Sequence, residues 1–250
     1  MSSAIQDWTA RVLQLCGVSS HMCPLVRGAL SASDTRIVDL LAAVGQGAGL
    51  TQDEAELRCA ALLLQNASIQ LADDLADGEA TGLPQPHKLG PALQSVMLVA
   101  AFELLLRSRV SRHVLQALCV DLLSVGAAHV AESLHDEWNH AHAVLAAEGL
   151  NGAQYRAVFR IVLDGTEYES VAAQAGWHFG CVLHVAGDRL SRDERWTRLA
   201  APDQQTLLTW ASSHLEQVRA LQLPGLFDQL DWFGGVLATP LPEPAQEVLR

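Results

Sequence analysis

Apolar residues recur at helical spacing along most of this chain, and short segments rich in glycine, proline or capping residues separate the recurrences. Strand signals are absent. The pattern predicts nine to eleven helices packed in one all-α domain. Helices are expected over about residues 4–16, 35–47, 51–77, 91–107, 112–134, 153–163, 167–193, 202–221 and 224–236, with a break at 149–152.

The predicted helix over 51–77 carries the most informative polar pattern. Thr51 and Glu54 have the spacing of a capping box at its start. Near its other end, polar residues form one stripe on a helix that is otherwise Ala, Leu and Ile: Asn66, Gln70, Asp73, Asp74 and Asp77. Polar groups facing a core are costly unless they are paired, and carboxylates one turn apart repel. The stripe therefore predicts either a divalent cation site, for which Mg²⁺ is suited, or an acidic helix end that reaches solvent.

A second segment that could contribute to the same site lies between Phe179 and Glu194. Asp188, Ser191 and either Glu194 or Arg195 fall on neighbouring helical turns there. The segment is a candidate second half of a site that faces the first across the bundle core. The alternative is an ordinary helix end that grades into a charged surface loop.

Composition and charge narrow the function classes. The 250 residues are 50% hydrophobic and carry a formal net charge of −12, which argues against non-specific binding to nucleic acid or to anionic membranes. No charge-free apolar run reaches about 18 residues, so no membrane span is expected. Five cysteines, with no close pair and no signal peptide, indicate reduced thiols in a cytoplasmic protein. We expect residues 1–250 to form a single domain, with a core over about 10–240 and a proline-rich tail over 239–250.

The run Asp73-Asp74-Leu75-Ala76-Asp77 resembles the first aspartate-rich DDxxD motif of class I isoprenoid synthases. That superfamily includes the trans-polyprenyl diphosphate synthases and the terpene cyclases. The segment 171–191 is similar to the helix that carries their second metal motif. The resemblance covers about residues 10–240, and it implies about ten helices around a central apolar cavity, assembled as a homodimer.

The resemblance also implies a reaction and a set of residues. Asp73, Asp74 and Asp77, with Asp188 and Ser191, would hold Mg²⁺ ions that bind an allylic diphosphate. The metal charge stabilises the departing diphosphate, and the carbocation then reacts inside a cavity that excludes water. The implied function is that of a terpene cyclase or an atypical prenyltransferase. The implied cavity wall comprises Asn66, Ala67, Gln70, Val125, Gly126, His129, Phe179, Leu183 and His184.

Departures from the family pattern restrict this interpretation. Gly187 stands where the second motif has its first aspartate, and the basic elements that bind a second diphosphate in chain elongases are not recognisable. Ordinary chain elongation is therefore not expected. Arg156 and Arg160, one turn apart, are candidate diphosphate ligands, or they form a solvated basic face. A non-catalytic partner subunit with an incomplete second motif is the competing hypothesis.

A metal site of another class is also considered. His129, Glu132 and His135 contain one Glu-x-x-His element, which di-iron bundles use twice. A second such element is absent. The histidines of this segment are otherwise interpreted as surface or core residues.

Overall fold

The computed structural model describes residues 25–26, 35–76, 78, 83–133 and 138–239. Within those residues the chain forms ten α-helices and one π-helical segment and contains no strand. The predicted all-α fold is confirmed. The predicted first helix and nearly all of the proline-rich tail lie outside the described residues. The elements are α1 (Thr35–Gly47), α2 (Gln52–Ala76), α3 (Pro86–Arg107), α4 (Arg112–Ser133), α5 (His140–Ala147), the π segment (Glu148–Gly152), α6 (Ala153–Leu163), α7 (Glu169–Ser191), α8 (Glu194–Thr197), α9 (Ala201–Ala220) and α10 (Phe227–Ala238).

Helix α2 starts where the capping box predicts. The Thr51 amide donates to a carboxylate oxygen of Glu54 at 3.1 Å, and the Glu54 amide donates to the Thr51 hydroxyl at 3.3 Å. These reciprocal bonds satisfy two amides that have no partner inside the helix. From this start α2 packs along α3 and presents a buried apolar face to the core.

Helices α6 and α7 pack closely against each other in the core. A Cβ atom at Gly176 would overlap the carbonyl oxygen of Tyr155, and one at Gly180 would overlap that of Asn151. The two glycines therefore allow the backbones of α7 and of the α6 region to touch. Phe159 and Phe179 are fully buried beside this contact, with ring centroids 5.5 Å apart.

The predicted break at residues 149–152 is wrong. The chain stays helical there, as the π segment that joins α5 to α6. Its glycines permit close packing instead of ending a helix: a Cβ at Gly149 would lie 2.6 Å from the Ala128 Cβ, and one at Gly152 would lie 3.0 Å from the Trp177 ring. Single-turn π segments inside helices are frequent at functional sites.

A buried arginine ties α2 to the end of α6. The Arg58 guanidinium donates to the carbonyl oxygens of Ile161 and Asp164, each at 2.9 Å. Carbonyls at a helix C-terminus have no partner inside the helix and carry partial negative charge. Arg58 therefore satisfies the end of α6 and fixes its position against α2.

Two long helices carry apolar side chains on their outer surface. By length and composition α3 and the Arg112–Glu132 part of α4 are apolar enough to cross a membrane, with 33% and 22% of their most apolar windows buried. Val99 is 69% exposed and Leu123 is 74% exposed. The sequence-based expectation of no membrane span is therefore only weakly supported.

Candidate functional site

The polar stripe of α2 reaches a cavity between helices. Asn66, Ile69 and Gln70 line this cavity, one to two turns before the aspartates of the same helix. Asp73 and Asp74 lie within the helical part of α2. Asp74 is half-buried and engaged in an interaction, whereas the side chain of Asp73 and all of Asp77 lie outside the described part. Ala67 is buried in the core and does not line the cavity.

The cavity has a volume of about 290 Å³ and is lined by residues of six elements, namely α2, α4, the π segment, α6, α7 and α8. Helix α2, which carries the first acidic segment, and helix α7, which carries the second, therefore line the same cavity, although they are distant in sequence. We call it the polar cavity, because amide, imidazole, carboxylate and guanidinium groups all reach it. Its lining comprises Asn66, Ile69, Gln70, Val125, His129, Leu150, Asn151, Gln154, Leu183, His184, Gly187, Asp188 and Arg195.

A second, apolar cavity of about 180 Å³ lies next to the polar one. It is bounded by α1, α2, α6 and α7, and most of its wall is aliphatic. The two cavities share Asn66, Gln154 and Leu183. The lining of this apolar cavity comprises Ile37, Val38, Leu41, Leu62, Leu63, Gln65, Asn66, Gln154, Tyr155, Val158 and Leu183.

Helix α7 contributes a buried imidazole and a carboxylate to the polar cavity. The His184 Nε2 atom lies 3.4 Å from the nearer Asp188 carboxylate oxygen, and it makes no hydrogen bond to any described residue. Burial, with a smaller contribution from Arg195, lowers the pKa of His184 to about 4, so its imidazole is neutral near pH 7. Burial raises the pKa of Asp188 to about 7, against the opposing effect of Arg195.

Arg195, just after α7, links this wall to α4. Its guanidinium lies 3.1 Å from Glu132, 3.0 Å from Asp193 and 3.6 Å from Asp188. Burial disfavours the charge, but the surrounding carboxylates outweigh that effect and raise the pKa of Arg195. The protein therefore neutralises part of this acidic wall with its own cation.

Arg156 and Arg160 do not line the cavity, so their predicted role as diphosphate ligands is not supported by their placement. Both bind Asp121 of α4, at 2.6 Å and 2.7 Å. Asp121 is only 2% exposed, and a buried carboxylate needs paired cations to remain ionised. These arginines therefore join α6 to α4.

Three further predicted site residues lie elsewhere. Ser191 is exposed, and its hydroxyl donates to the Gly187 carbonyl oxygen at 2.9 Å. Gly126 is exposed, with open space around it, whereas its neighbour Val125, which was also predicted for the cavity wall, does line the cavity. Phe179 is fully buried among aromatic rings because its face of α7 points into the core. His129, Leu183, His184 and Asp188 do line the polar cavity.

The Glu-x-x-His element does not form a di-iron site in the part of the chain that is described. Glu132 accepts a hydrogen bond from Arg195 at 3.1 Å, and His135 lies outside the described residues. Metal-ligand side chains do cluster at His113, Asp164 and Glu169. There the Asp164 carboxylate already accepts hydrogen bonds from the Ser111 amide and hydroxyl, both at 2.7 Å.

The sequence does not predict that Arg195 pairs with carboxylates of two helices, or that Gln154 lines the cavity. The Arg195–Glu132 contact joins positions 63 apart in sequence, and nothing local marks it. Gln154 occupies an otherwise apolar helical pattern in α6, where it is buried. The sequence does contain one signal for Gln154, because it is a polar residue at a position where the apolar pattern predicts the core.

No family model and no curated protein matches the sequence. Solved structures do match over nearly the whole chain. A geranyltranstransferase from Thermotoga maritima is 14% identical with a TM-score of 0.73, over 92% of this chain and 95% of that one. An isoprenoid synthase family member from Thermotoga neapolitana is 16% identical with a TM-score of 0.74, over 94% and 99%.

A geranylgeranyl pyrophosphate synthetase from Geoglobus acetivorans is 13% identical with a TM-score of 0.72, over 94% of this chain and 98% of that one. At such identities the likeness concerns the fold. The resemblance predicted from the two acidic segments is confirmed at that level. This chain has the all-α fold of the isoprenoid synthases.

Proposed function

We propose that this protein binds an allylic prenyl diphosphate and ionises it, with Mg²⁺ held by Asp73, Asp74 and Asp77. The observation that carries the proposal is the pair of adjoining cavities. Gln70, which lines the polar cavity, lies about one helical turn before Asp73 and Asp74 on α2, and the apolar cavity adjoins the polar one among core residues. A ligand with an anionic head and a hydrocarbon tail matches that order of polar and apolar surface.

The donor sets of the two walls fit Mg²⁺ unequally. The end of α2 offers three carboxylates within five residues, which are the hard oxygen ligands that Mg²⁺ prefers. On α7, Asp188 lies beside Arg195, Gly187 has no side-chain donor, and the Ser191 hydroxyl is bonded to backbone. The proposal therefore assigns the metal to α2 and does not carry the predicted metal roles of Asp188 and Ser191 forward.

When bound, Mg²⁺ offsets diphosphate charge and assists departure of the leaving group. The chain's own contribution is the cavity behind that point. Leu183 and the aliphatic wall of the apolar cavity keep water away from a cationic prenyl chain. The same cavity accommodates either of two outcomes, cyclisation or transfer to an acceptor that lacks a diphosphate.

The test is incubation with geranyl, farnesyl and geranylgeranyl diphosphates plus Mg²⁺, with and without acceptor alcohols. We expect diphosphate release with at least one substrate, and loss of that release on chelation of the metal or in Asp73→Ala. Asp53→Ala is the matched control, because Asp53 is an exposed aspartate in the first turn of the same helix. No release with any substrate, or unchanged release in Asp73→Ala, would contradict the proposal.

A non-catalytic partner subunit is the second candidate. The observation that favours it is the Arg195 contact with Asp188, which leaves α7 without a metal site of its own among the described residues. Calorimetry with non-hydrolysable prenyl diphosphate analogues measures binding, and the release assay with the authentic substrates measures turnover, so the two together distinguish the candidates. Binding without turnover favours the partner subunit, and binding with turnover favours the enzyme.

Assembly and location remain predictions of the resemblance. A homodimer is expected, and α3 and α4 offer an exposed apolar surface that it could bury, comprising Val99, Leu106, Val120 and Leu123. Light scattering at several protein concentrations measures the oligomeric state directly. A cytoplasmic location is the corresponding expectation for the cell.

A further inference from the structure

Three side chains of metal-ligand type converge at the end of the bundle opposite the polar cavity. His113 lies in the first turn of α4, Asp164 follows α6 directly, and Glu169 begins α7. Their ligand atoms all lie within 4.8 Å of one another. Glu169 is the first residue of α7 and Asp188 lies in its last turn, so the cluster is about 28 Å along the helix from the polar cavity. We call these three residues the basal triad.

The Asp164 carboxylate is buried and has no arginine or lysine bonded to it within the part of the chain that is described. The residue is only 5% exposed, and its carboxylate accepts hydrogen bonds from the neutral amide and hydroxyl of Ser111. Arg58 binds the backbone carbonyl oxygen of Asp164 instead of the carboxylate. A buried carboxylate is costly without a charge partner. Each of its oxygens keeps a second lone pair with which it can bind a cation.

The other two members of the basal triad lie at the surface. The His113 Nε2 atom is 3.1 Å from one carboxylate oxygen of Glu169, and the side chains are 68% and 41% exposed. The other Glu169 oxygen accepts a hydrogen bond from the Gly165 amide at 3.1 Å. Both carboxylates are thus oriented by neighbouring donors, as metal ligands are by their second shell.

The triad is close to the dimensions of a metal site. Zn²⁺ bonds of about 2.0–2.2 Å place the ligand atoms of one ion about 3–4 Å apart. The exposed side chains therefore need to move by about 1 Å to bind an ion together with Asp164. No movement of the buried carboxylate is required.

We propose that the basal triad binds a divalent first-row transition metal ion, Zn²⁺ in particular, with water completing its coordination. One imidazole nitrogen and two carboxylates form a donor set that suits Zn²⁺, whereas Mg²⁺ prefers oxygen ligands alone. The bound ion offsets the charge of Asp164 and joins the start of α4 to the turn between α6 and α7. This inference does not rest on the proposed function, because the two sites lie at opposite ends of the bundle.

Calorimetry with Zn²⁺ tests the proposal on the full chain, after chelator treatment and in an excess of Mg²⁺ that competes for the aspartates of α2. We expect one equivalent of Zn²⁺ to bind with a dissociation constant below about 10 μM. His113→Ala and Glu169→Gln should each weaken this binding by at least about 100-fold, because loss of a second-shell partner alone costs about 10–100-fold. His140→Ala is the matched control, since His140 is also an exposed histidine beside a carboxylate, 3.7 Å from Asp203. The control should keep the affinity of the unmodified protein.

Thermal unfolding gives a second readout that a surface ion pair would not affect. Zn²⁺ at about 100 times its dissociation constant should raise the Tm of the unmodified protein by about 5–10 °C, because the triad exists only in the folded chain. His140→Ala should show the same rise, and His113→Ala should show none. Without metal, His113→Ala should unfold at nearly the Tm of the unmodified protein, since an exposed ion pair contributes little.

Absence of Zn²⁺ binding to the unmodified protein would overturn the inference, and so would unchanged binding in His113→Ala and Glu169→Gln. His113 and Glu169 would then be a surface ion pair only. Zn²⁺ binding that is lost in Asp73→Ala but retained in His113→Ala would also overturn it, because the ion would then be bound at α2.

Discussion

The α2 and α7 sides of the polar cavity differ in how their carboxylates are paired with cations. On one side, α2 lines the cavity with Asn66 and Gln70, and the sequence places Asp73, Asp74 and Asp77 just beyond them, where the dipole of a helix end disfavours negative charge. The α7 wall has Asp188, and Arg195 brings a guanidinium to it together with Glu132 and Asp193. In the proposed function the α2 side takes its cation from solution, whereas on the α7 side Arg195 supplies a cation from within the chain. Two acidic segments near one cavity therefore need not have the same role.

The largest expected difference between the walls is in turnover. We expect Asp73→Ala to lower diphosphate release by at least about 1,000-fold, because it removes a ligand of the cation that offsets diphosphate charge. Asp188→Asn should lower it by less than about tenfold, because Arg195 already neutralises that carboxylate. Steady-state release of diphosphate measures both. Equal losses in the two variants would show that α7 binds metal as well.

The close contact of α7 with the α6 region predicts the largest effect on stability. Gly180→Ala should lower the free energy of unfolding by about 3–5 kcal/mol, since its methyl group would overlap a backbone carbonyl that cannot move independently. Gly187→Ala, on the same helix but in open space, should raise it by about 0.5–1 kcal/mol. Urea denaturation measures both changes. Similar effects at the two positions would contradict the packing described for Gly180.

Arg195 should matter more for stability than an arginine of equal exposure at the surface. Its side chain is 32% exposed, and the carboxylates of Asp188 and Glu132 are 16% and 19% exposed. Arg195→Met should cost about 2 kcal/mol, because it leaves partly buried carboxylates unpaired. The control is Arg219→Met, since Arg219 is also 32% exposed but contacts carboxylates that are 66% and 86% exposed. That control should lower the free energy of unfolding by less than about 0.5 kcal/mol. Equal losses in the two variants, measured by urea denaturation, would show that the partly buried pairs of Arg195 are no more stabilising than surface pairs.

The smallest predicted effect concerns pH and separates the fold from the site. His178 of α7 and His214 of α9 lie with their Nδ1 atoms 3.0 Å apart, away from the polar cavity. Burial, with a contribution from His178, lowers the pKa of His214 to about 4. Below the ordinary histidine pKa the unfolded chain gains a proton that the folded chain does not, so stability falls as pH falls from about 6.5 towards 4.

We expect the free energy of unfolding to be about 1 kcal/mol lower at pH 5 than at pH 7 because of this residue. His214→Phe should reduce the pH dependence by that amount. Urea denaturation at the two pH values provides the measurement. An unchanged pH dependence in His214→Phe would show that the imidazole titrates normally in the folded chain.

Local sequence signals predicted most of the fold. The capping box at Thr51 and Glu54 predicted the start of α2, and the apolar periodicity predicted α1, α4 and α7 with small shifts in their ends. The π segment is not predicted by these signals, because Gly149 and Gly152 have the pattern of helix breakers. In the structure both glycines relieve close packing against neighbouring helices.

The site was harder to predict, since its members meet only through tertiary packing. Arg156 and Arg160 looked like anion ligands because the sequence does not show that Asp121, 35 and 39 positions earlier, needs them. Phe179 looked like a cavity residue because a helical pattern does not say which apolar side chains face a void. Spacing did indicate correctly that residues of α2 and α7 would face each other across the core.

The π segment makes cavity shape sensitive to chain length as well as to residue identity. Five residues in a π turn use more chain than the α-helical path requires, and each residue of an α-helix adds about 100° of rotation. A π turn holds about one residue more than an α-helical turn over the same rotation, so deleting one residue between Glu148 and Gly152 would convert it to α-helix and displace Leu150 and Asn151, which line the polar cavity. An insertion or deletion at this single turn would thus reshape the binding space in one step, without any substitution in the residues that line it.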